Sequence, residues 1–120
     1  MNLVTVGGAA LRLAPRGTGR LETADAFVAD VEGAECNAAV AAGRLDADAT
    51  WYSRLPGNPL GRRVAGELRR HDVEVIALFA DGGRQGVTFF ERGSPPRSDG
   101  RVDDLAGAAG FGGEYRCLLP

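Results

Sequence analysis

The sequence contains no lysine. All 14 of its basic residues are arginine, which excludes a lysine Schiff base and the lysine of a phosphate-binding P-loop. Cysteine is almost as scarce. Cys36 and Cys117 are the only two and stand far apart without a C-x-x-C pair, so neither a zinc site nor a disulfide framework is indicated and a reducing cytoplasm is the expected location. Aromatic residues make up 7% of the chain and the formal charge is −2, so the basic excess of a nucleic-acid binder is missing. No apolar run is long enough to span a bilayer, and residues 1–13 lack a basic stretch ahead of their apolar part, which argues against a signal peptide.

What is present is small and apolar. Of 120 residues, 44% are hydrophobic and 18 are glycine, enough for one domain with a real core and too few for a two-lobed enzyme. Leu3-Val4-Thr5-Val6 reads as a strand closed by Gly7-Gly8, and Leu11 and Leu13 mark a second short strand. Residues 26–31 alternate weakly, as an edge strand or flap would. From Ala34 to Leu45 the sequence is rich in alanine, so a helix there would approach a sheet closely. Thr50 to Leu55 is the next strand, ended by Pro56-Gly57.

Asn58 is a good N-cap with Pro59 at the first helical position, and Leu60, Val64 and Leu68 recur at helical spacing. Arg62, Arg63, Arg69 and Arg70 then form a salt-bridged surface with Glu67. Val73 to Phe79 and Gly86 to Glu91 read as two strands around the turn Asp81-Gly82-Gly83. Beyond Ser98 the pattern fades, and Asp103 and Asp104 are expected in a solvated loop. The order of elements predicts an α/β domain over 1–106, with a parallel core and extra antiparallel strands, followed by a glycine-rich tail at 107–120.

The chemistry-bearing segment is Gly33-Ala34-Glu35-Cys36-Asn37. A glycine that opens a helix with an asparagine in its first turn can hold a polyhydroxylated or anionic ligand against backbone N–H groups. Cys36 reads as a small buried hydrophobe rather than a reactive thiol. His71, near the end of the second helix, has no nucleophile to serve.

Three ordered blocks carry a resemblance. Val6-Gly7 with Leu11-Arg12-Leu13 is similar to an opening strand and "GE-x-x-LRL" segment, Gly33 to Asn37 to "GGAExN", and Trp51 to Gly61 to "W-x-SRLGDNPLG". Together they resemble the N-terminal part of the ribokinase-like (PfkB) carbohydrate kinases, above all the 2-keto-3-deoxygluconate kinases. The resemblance implies a Rossmann-like ribokinase fold with a small β-sheet lid, and ATP-dependent phosphorylation of a sugar or sugar acid with Mg²⁺. It implies that Gly33 and Asn37 contact the sugar and that Arg97, in a Pro-Pro-Arg stretch, pairs with a substrate carboxylate. It also implies a possible homodimer through the lid strands Val73 to Phe79 and Gly86 to Glu91.

The sequence departs from the family pattern at several points. Glu32, Asp46 and Pro56 stand where glycines are usual, Gly8 replaces an acidic residue, Thr88 replaces an aromatic, and the segment 101–106 lacks a Tyr and an Arg. The late Gly-Ala-Gly-Asp motif, whose N–H groups form an anion hole and whose Asp is the base, is imitated by Gly107-Ala108-Ala109-Gly110, but Phe111 follows. The matching text covers about the first third of such a kinase. The expectation is therefore a carbohydrate kinase portion inactive alone, binding neither ATP nor Mg²⁺ by itself, with a non-catalytic sugar-binding or dimerisation module as the alternative.

Overall fold

A computed structural model describes residues 2–111. Two sheets share the chain. The first is parallel, in the order β1-β4-β5, and is built from β1 (Asn2–Val6), β4 (Asp48–Pro56) and β5 (Glu74–Ala80). The second is mixed, in the order β3-β2-β6-β7, and contains β2 (Ala10–Ala14), β3 (Val28–Glu32), β6 (Val87–Glu91) and β7 (Gly100–Asp104). Here β2 and β6 run parallel, while β3 and β7 pair antiparallel on the outside. Helices α1 (Ala34–Arg44) and α2 (Pro59–Arg69) connect the parallel strands. This is the α/β architecture expected from the sequence, with the second sheet as the lid.

The core lies between the parallel sheet and the two helices. Ala49, Trp51, Ser53 and Leu55 alternate inward along β4, as a two-residue strand period requires, and meet Cys36 and Ala39 of α1 and Val64, Ala65 and Leu68 of α2. Helix α2 starts as its sequence dictates: the Asn58 side chain accepts from the N–H groups of Leu60 and Gly61 at 3.0 Å each, with Pro59 following the cap. Leu60, assigned to the buried stripe, is instead 46% exposed. The stripe is carried by Gly61, Val64, Ala65 and Leu68, because only a residue without a Cβ fits where the first turn meets the Pro56 carbonyl.

Both helices close the same way. The N–H of Asp46 bonds to the Gly43 carbonyl and that of Ala47 to Ala42, while Asp72 bonds to Arg69 and Val73 to Leu68. This paired pattern puts Asp46 (φ +64°) and Asp72 (φ +59°) in left-handed conformation, the place usually held by glycine.

Three expectations are corrected. Val73 to Phe79 and Gly86 to Glu91 do not form a hairpin around Asp81-Gly82-Gly83: β5 joins the parallel sheet and β6 the lid. The turn crosses between sheets, and only the second of those segments is a lid strand. Asp103 and Asp104 lie on a strand, not in a loop, paired across from Thr88 and Val87 and bridged to Arg101 at 2.8 Å and Arg84 at 2.9 Å. Strand β4 also runs on through Pro56, whose missing N–H costs nothing at a strand end.

The opposite face of the parallel sheet carries Val4, Thr50, Tyr52, Arg54, Ile76 and Leu78 by register. Val4, Ile76 and Leu78 are exposed there, at 58%, 37% and 41%. Among the described residues no helix is long and apolar enough to cross a membrane.

Candidate functional site

Gly33 is the residue before α1, reached as β3 leaves the lid. A Cβ there would lie 2.7 Å from the Gly8 carbonyl oxygen and 3.2 Å from the Cys36 sulfur. The β1–β2 link and the helix start therefore touch backbone to backbone, and glycine is demanded by that approach. On the other side of the link, a Cβ on Gly8 would lie 2.6 Å from the Gly110 carbonyl oxygen. Two distant segments, the start of α1 and the turn at Gly110, thus converge on the Gly7-Gly8-Ala9 link.

Helix α1 begins without a side-chain cap. The positive end of its helix dipole thus lies at a start without a side-chain cap, in contrast to the capped start of α2. Asn37 follows one turn later with an exposed side chain, its backbone N–H bonded to the Gly33 carbonyl at 2.9 Å. Gly33 and Asn37 therefore lie one turn apart at the same helix start. Glu35, in the same first turn, lies against Gly7 at the end of β1. The thiol of Cys36 is buried and donates to the Gly33 carbonyl at 3.2 Å, and burial pushes its pKa up to about 11. It is a core residue and not a nucleophile.

Arg97 is placed elsewhere. It follows β6 in the connection to β7, while Gly33 adjoins the opposite end of the lid strands, where Ala10 pairs with Glu32. The length of β2 between these ends is about 13 Å at the usual strand rise. The Arg97 guanidinium donates to the Thr18 carbonyl at 2.6 Å and lies 3.3 Å from the carboxylate of Glu91. Glu91 in turn accepts from the N–H of Leu21 at 2.8 Å, so Arg97 closes the 15–24 loop onto the lid.

Glu32, which adds a negative charge beside Gly33, is neutralised where it stands. Arg12 lies 3.6 Å away and Arg101 binds its other oxygen.

Two buried polar side chains near the convergence were not legible in the sequence. Gln85 is 4% exposed and donates to the carbonyls of Ala9 at 2.7 Å and Gly86 at 3.1 Å, while its Oε1 has no partner among the described residues. Thr88 is fully buried and its hydroxyl is likewise unpartnered. Thr88 was noted only as standing in place of an aromatic, and Gln85 lies in no patterned motif; only the fold places it against Ala9.

The turn that imitates an anion hole does not function as one here. The Ala108 N–H is donated to the Leu105 carbonyl and the Ala109 N–H to the Arg84 carbonyl, both at 3.0 Å, and the Phe111 N–H to Ala108 at 3.3 Å. Among the described residues no three His, Cys, Asp or Glu side chains are grouped to hold a metal ion. The remainder of the expected tail, with Cys117, lies outside the described residues.

No family model matches the sequence. It is 47% identical over 107 residues, 89% of the chain, to a 2-dehydro-3-deoxygalactonokinase of Haloferax volcanii. The fold superposes with a TM-score of 0.83 on the crystal structure of a 2-dehydro-3-deoxygluconokinase from Thermotoga maritima, at 36% identity over 92% of this chain. A PfkB family carbohydrate kinase from Listeria grayi superposes with a TM-score of 0.87 at 26% identity, also over 92% of this chain. The chain has the N-terminal architecture of the PfkB carbohydrate kinases. It spans 34% of the length of each of these three relatives. Within this PfkB architecture the Gly33–Asn37 segment stands at the junction of parallel sheet and lid, where three glycine-bearing backbones meet.

Proposed function

We propose that this chain forms the sugar-side part of an ATP-dependent sugar-acid kinase, with 2-keto-3-deoxygluconate or its galactonate epimer as substrate. The observation that carries this reading is the start of α1, which has no side-chain cap and stands beside the exposed Asn37. The names of the relatives give the substrate class. Backbone N–H groups at that helix start favour a hydroxyl or carboxylate, and the Asn37 amide both donates to and accepts from hydroxyls. Of the three candidate ligand residues, Gly33 and Asn37 share this site. Arg97 reaches a substrate carboxylate only by exchanging its partner Glu91.

ATP and Mg²⁺ belong to the portion of the relatives' length that this chain does not span. Phosphoryl transfer depends on positioning and on charge stabilisation at the transferring group. This chain orients the acceptor sugar and excludes water from one side of it, and transfers no phosphoryl group unaided. Cytoplasmic sugar metabolism is the setting that fits this activity.

Thermal unfolding with and without 2-keto-3-deoxygluconate tests the binding half of the proposal. At a ligand concentration a hundredfold above Kd the expected stabilisation is about 2.7 kcal/mol, lost in Asn37→Ala. Absence of any sugar-dependent shift overturns the binding assignment. ATP-dependent phosphorylation by the chain alone overturns the assignment of catalysis to the unspanned portion.

A specific feature also favours a homodimer through the lid. Leu13, Phe89 and Val102 align in register on one face, and Phe27 meets Phe89 edge-on at 6.2 Å. Phe27 and Val102 are 40% and 57% exposed. Covering this stripe with a second copy would bury it. Sedimentation of wild type against Val102→Glu checks the pairing, and a wild-type monomer at high concentration would refute it.

A further inference from the structure

The other face of the lid carries a hollow of about 400 Å³, distant from Gly33, whose lining includes Arg12, Arg16 and Arg92 and no carboxylate. Strand register explains the convergence. Ala14 pairs with Val28, and Arg12 precedes Ala14 by one strand period, so all three share a face with Phe90 of the neighbouring β6. Arg16 lies two residues beyond Ala14 and Arg92 two beyond Phe90, at the ends of parallel strands. Gly17, at φ +59°, turns the chain directly after Arg16.

The three arginines are not equally engaged. Arg12 is held over the Phe90 ring at 4.2 Å and faces Asp30 at 3.8 Å and Glu32 at 3.6 Å, both on the β3 side. The Arg16 carbonyl accepts from the Gly19 N–H at 3.2 Å, but the guanidinium groups of Arg16 and Arg92 are exposed and have no hydrogen bond or ion pair among the described residues. A chain with a net charge of −2 thus gathers three cations around one concavity and leaves two without counter-ions. Like charges held together repel, and a multivalent anion relieves that repulsion where a solvated monoanion gains little.

From this arrangement we infer that the hollow is a binding site for a phosphate group, borne by a phosphomonoester or a pyrophosphate. Guanidinium forks match phosphate oxygens in pairs, which suits Arg16 and Arg92 as clamps and Arg12 as a fixed floor. Val28, Ala14 and Pro15 offer an apolar wall to the carbon skeleton of an ester. The Phe90 face is occupied by Arg12, so base stacking plays no part. The site shares no residue with the Gly33–Asn37 segment and does not depend on the kinase reading.

The test is titration of the ¹⁵N-labelled chain with pyrophosphate, glucose 6-phosphate and inorganic phosphate at low ionic strength, with acetate as monoanion control. Saturable amide shifts centred on Arg16, Gly17 and Arg92 are expected. Tightest binding by pyrophosphate identifies the diphosphate as the ligand class, and tightest binding by the ester identifies the phosphomonoester. The double variant Arg16→Ala/Arg92→Ala, which touches no buried residue, should keep its unfolding midpoint and weaken binding at least about tenfold, or 1.4 kcal/mol. Shifts that do not saturate, that survive the double variant, or that acetate reproduces overturn the site. Shifts centred instead on Arg62 and Arg63 do the same.

Discussion

Gln85 donates its side-chain amide to the carbonyl oxygen of Ala9 at 2.7 Å, across 76 residues of sequence. The bond joins the β5–β6 connection to the β1–β2 link, two of the three places where the chain passes between sheets. Backbone support comes from the Leu11 N–H, which bonds to the Gly86 carbonyl at 2.9 Å. Gln85 is buried, so losing the donor leaves Ala9 without a partner and without water. Gln85→Ala should therefore cost about 1–3 kcal/mol in urea unfolding. Gln85→Glu, which keeps the shape but replaces the donor by a carboxylate facing that carbonyl, should cost at least as much. A neutral Gln85→Glu would show that the bond does not tie the sheets together.

Gly33→Ala should destabilise by about 1–3 kcal/mol through overpacking, because the new Cβ meets the Gly8 backbone and neither segment has a flexible end to give way. Gly66→Ala is the control, since a Cβ there meets nothing within 4 Å and alanine favours a helix. Urea midpoints for the two variants should move in opposite directions. If Gly33→Ala unfolds at the wild-type midpoint, the close approach of helix and link is refuted.

Asp46→Gly and Asp72→Gly should each stabilise the chain. Both aspartates occupy left-handed conformations that strain an L-residue by about 1 kcal/mol, less for Asp than for most residues. The two caps close different helices and share no bond, so the gains should add within about 0.5 kcal/mol. Thermal unfolding of the two single variants and the double variant measures this. A loss of stability in both would mean that the aspartate side chains do more than fill the cap.

The same residues show what the sequence could and could not reveal. Helix α2 was legible because its signals are local: Asn58 caps, Pro59 fixes the first turn, and Val64 and Leu68 share a face. Strand β7 was not, since Gly-Arg-Val-Asp-Asp has no apolar alternation and is held by its pairing with β6 and by ion pairs to Arg84 and within the strand. The glycines at 82 and 83 correctly signalled a turn, with φ of +73° and +82°, but a turn does not say which sheet receives the next strand. The proposed site residues Gly33 and Asn37 come from one short segment. The contacts that shape it, Gly33 with Gly8 and Gln85 with Ala9, join residues too distant in sequence for any local pattern to disclose.

Cys36 sets a pH dependence. Its thiol is raised from 9.0 to about 11, chiefly by burial, so between these values the folded state holds a proton that the unfolded state has released. Stability from this group is complete below about pH 9 and is lost as pH rises towards 11. Cys36→Ala should show a flatter decline of the urea midpoint over that window. In the native protein the thiol should react slowly with a disulfide reagent at pH 8 and quickly in denaturant, a contrast that fails if Cys36 is an activated nucleophile.

Among the described residues one face of the parallel sheet is uncovered, and this predicts association. Ile76 and Leu78 lie on β5, an edge strand, and are flanked in register by Tyr52 and Arg54. Parallel sheets are normally covered on both faces, so an apolar row facing water should draw chains together and bind hydrophobic dyes. Replacing Ile76 and Leu78 by glutamate should reduce dye fluorescence and shift sedimentation towards monomer. The cost to folding should be small, because these side chains are exposed while the inward residues Val75 and Ala77 are untouched. The lid offers a separate route to a dimer through Val102, and the two are distinguishable: a dimer that survives Ile76→Glu/Leu78→Glu but dissociates in Val102→Glu is joined through the lid, and the reverse pattern assigns it to the open sheet.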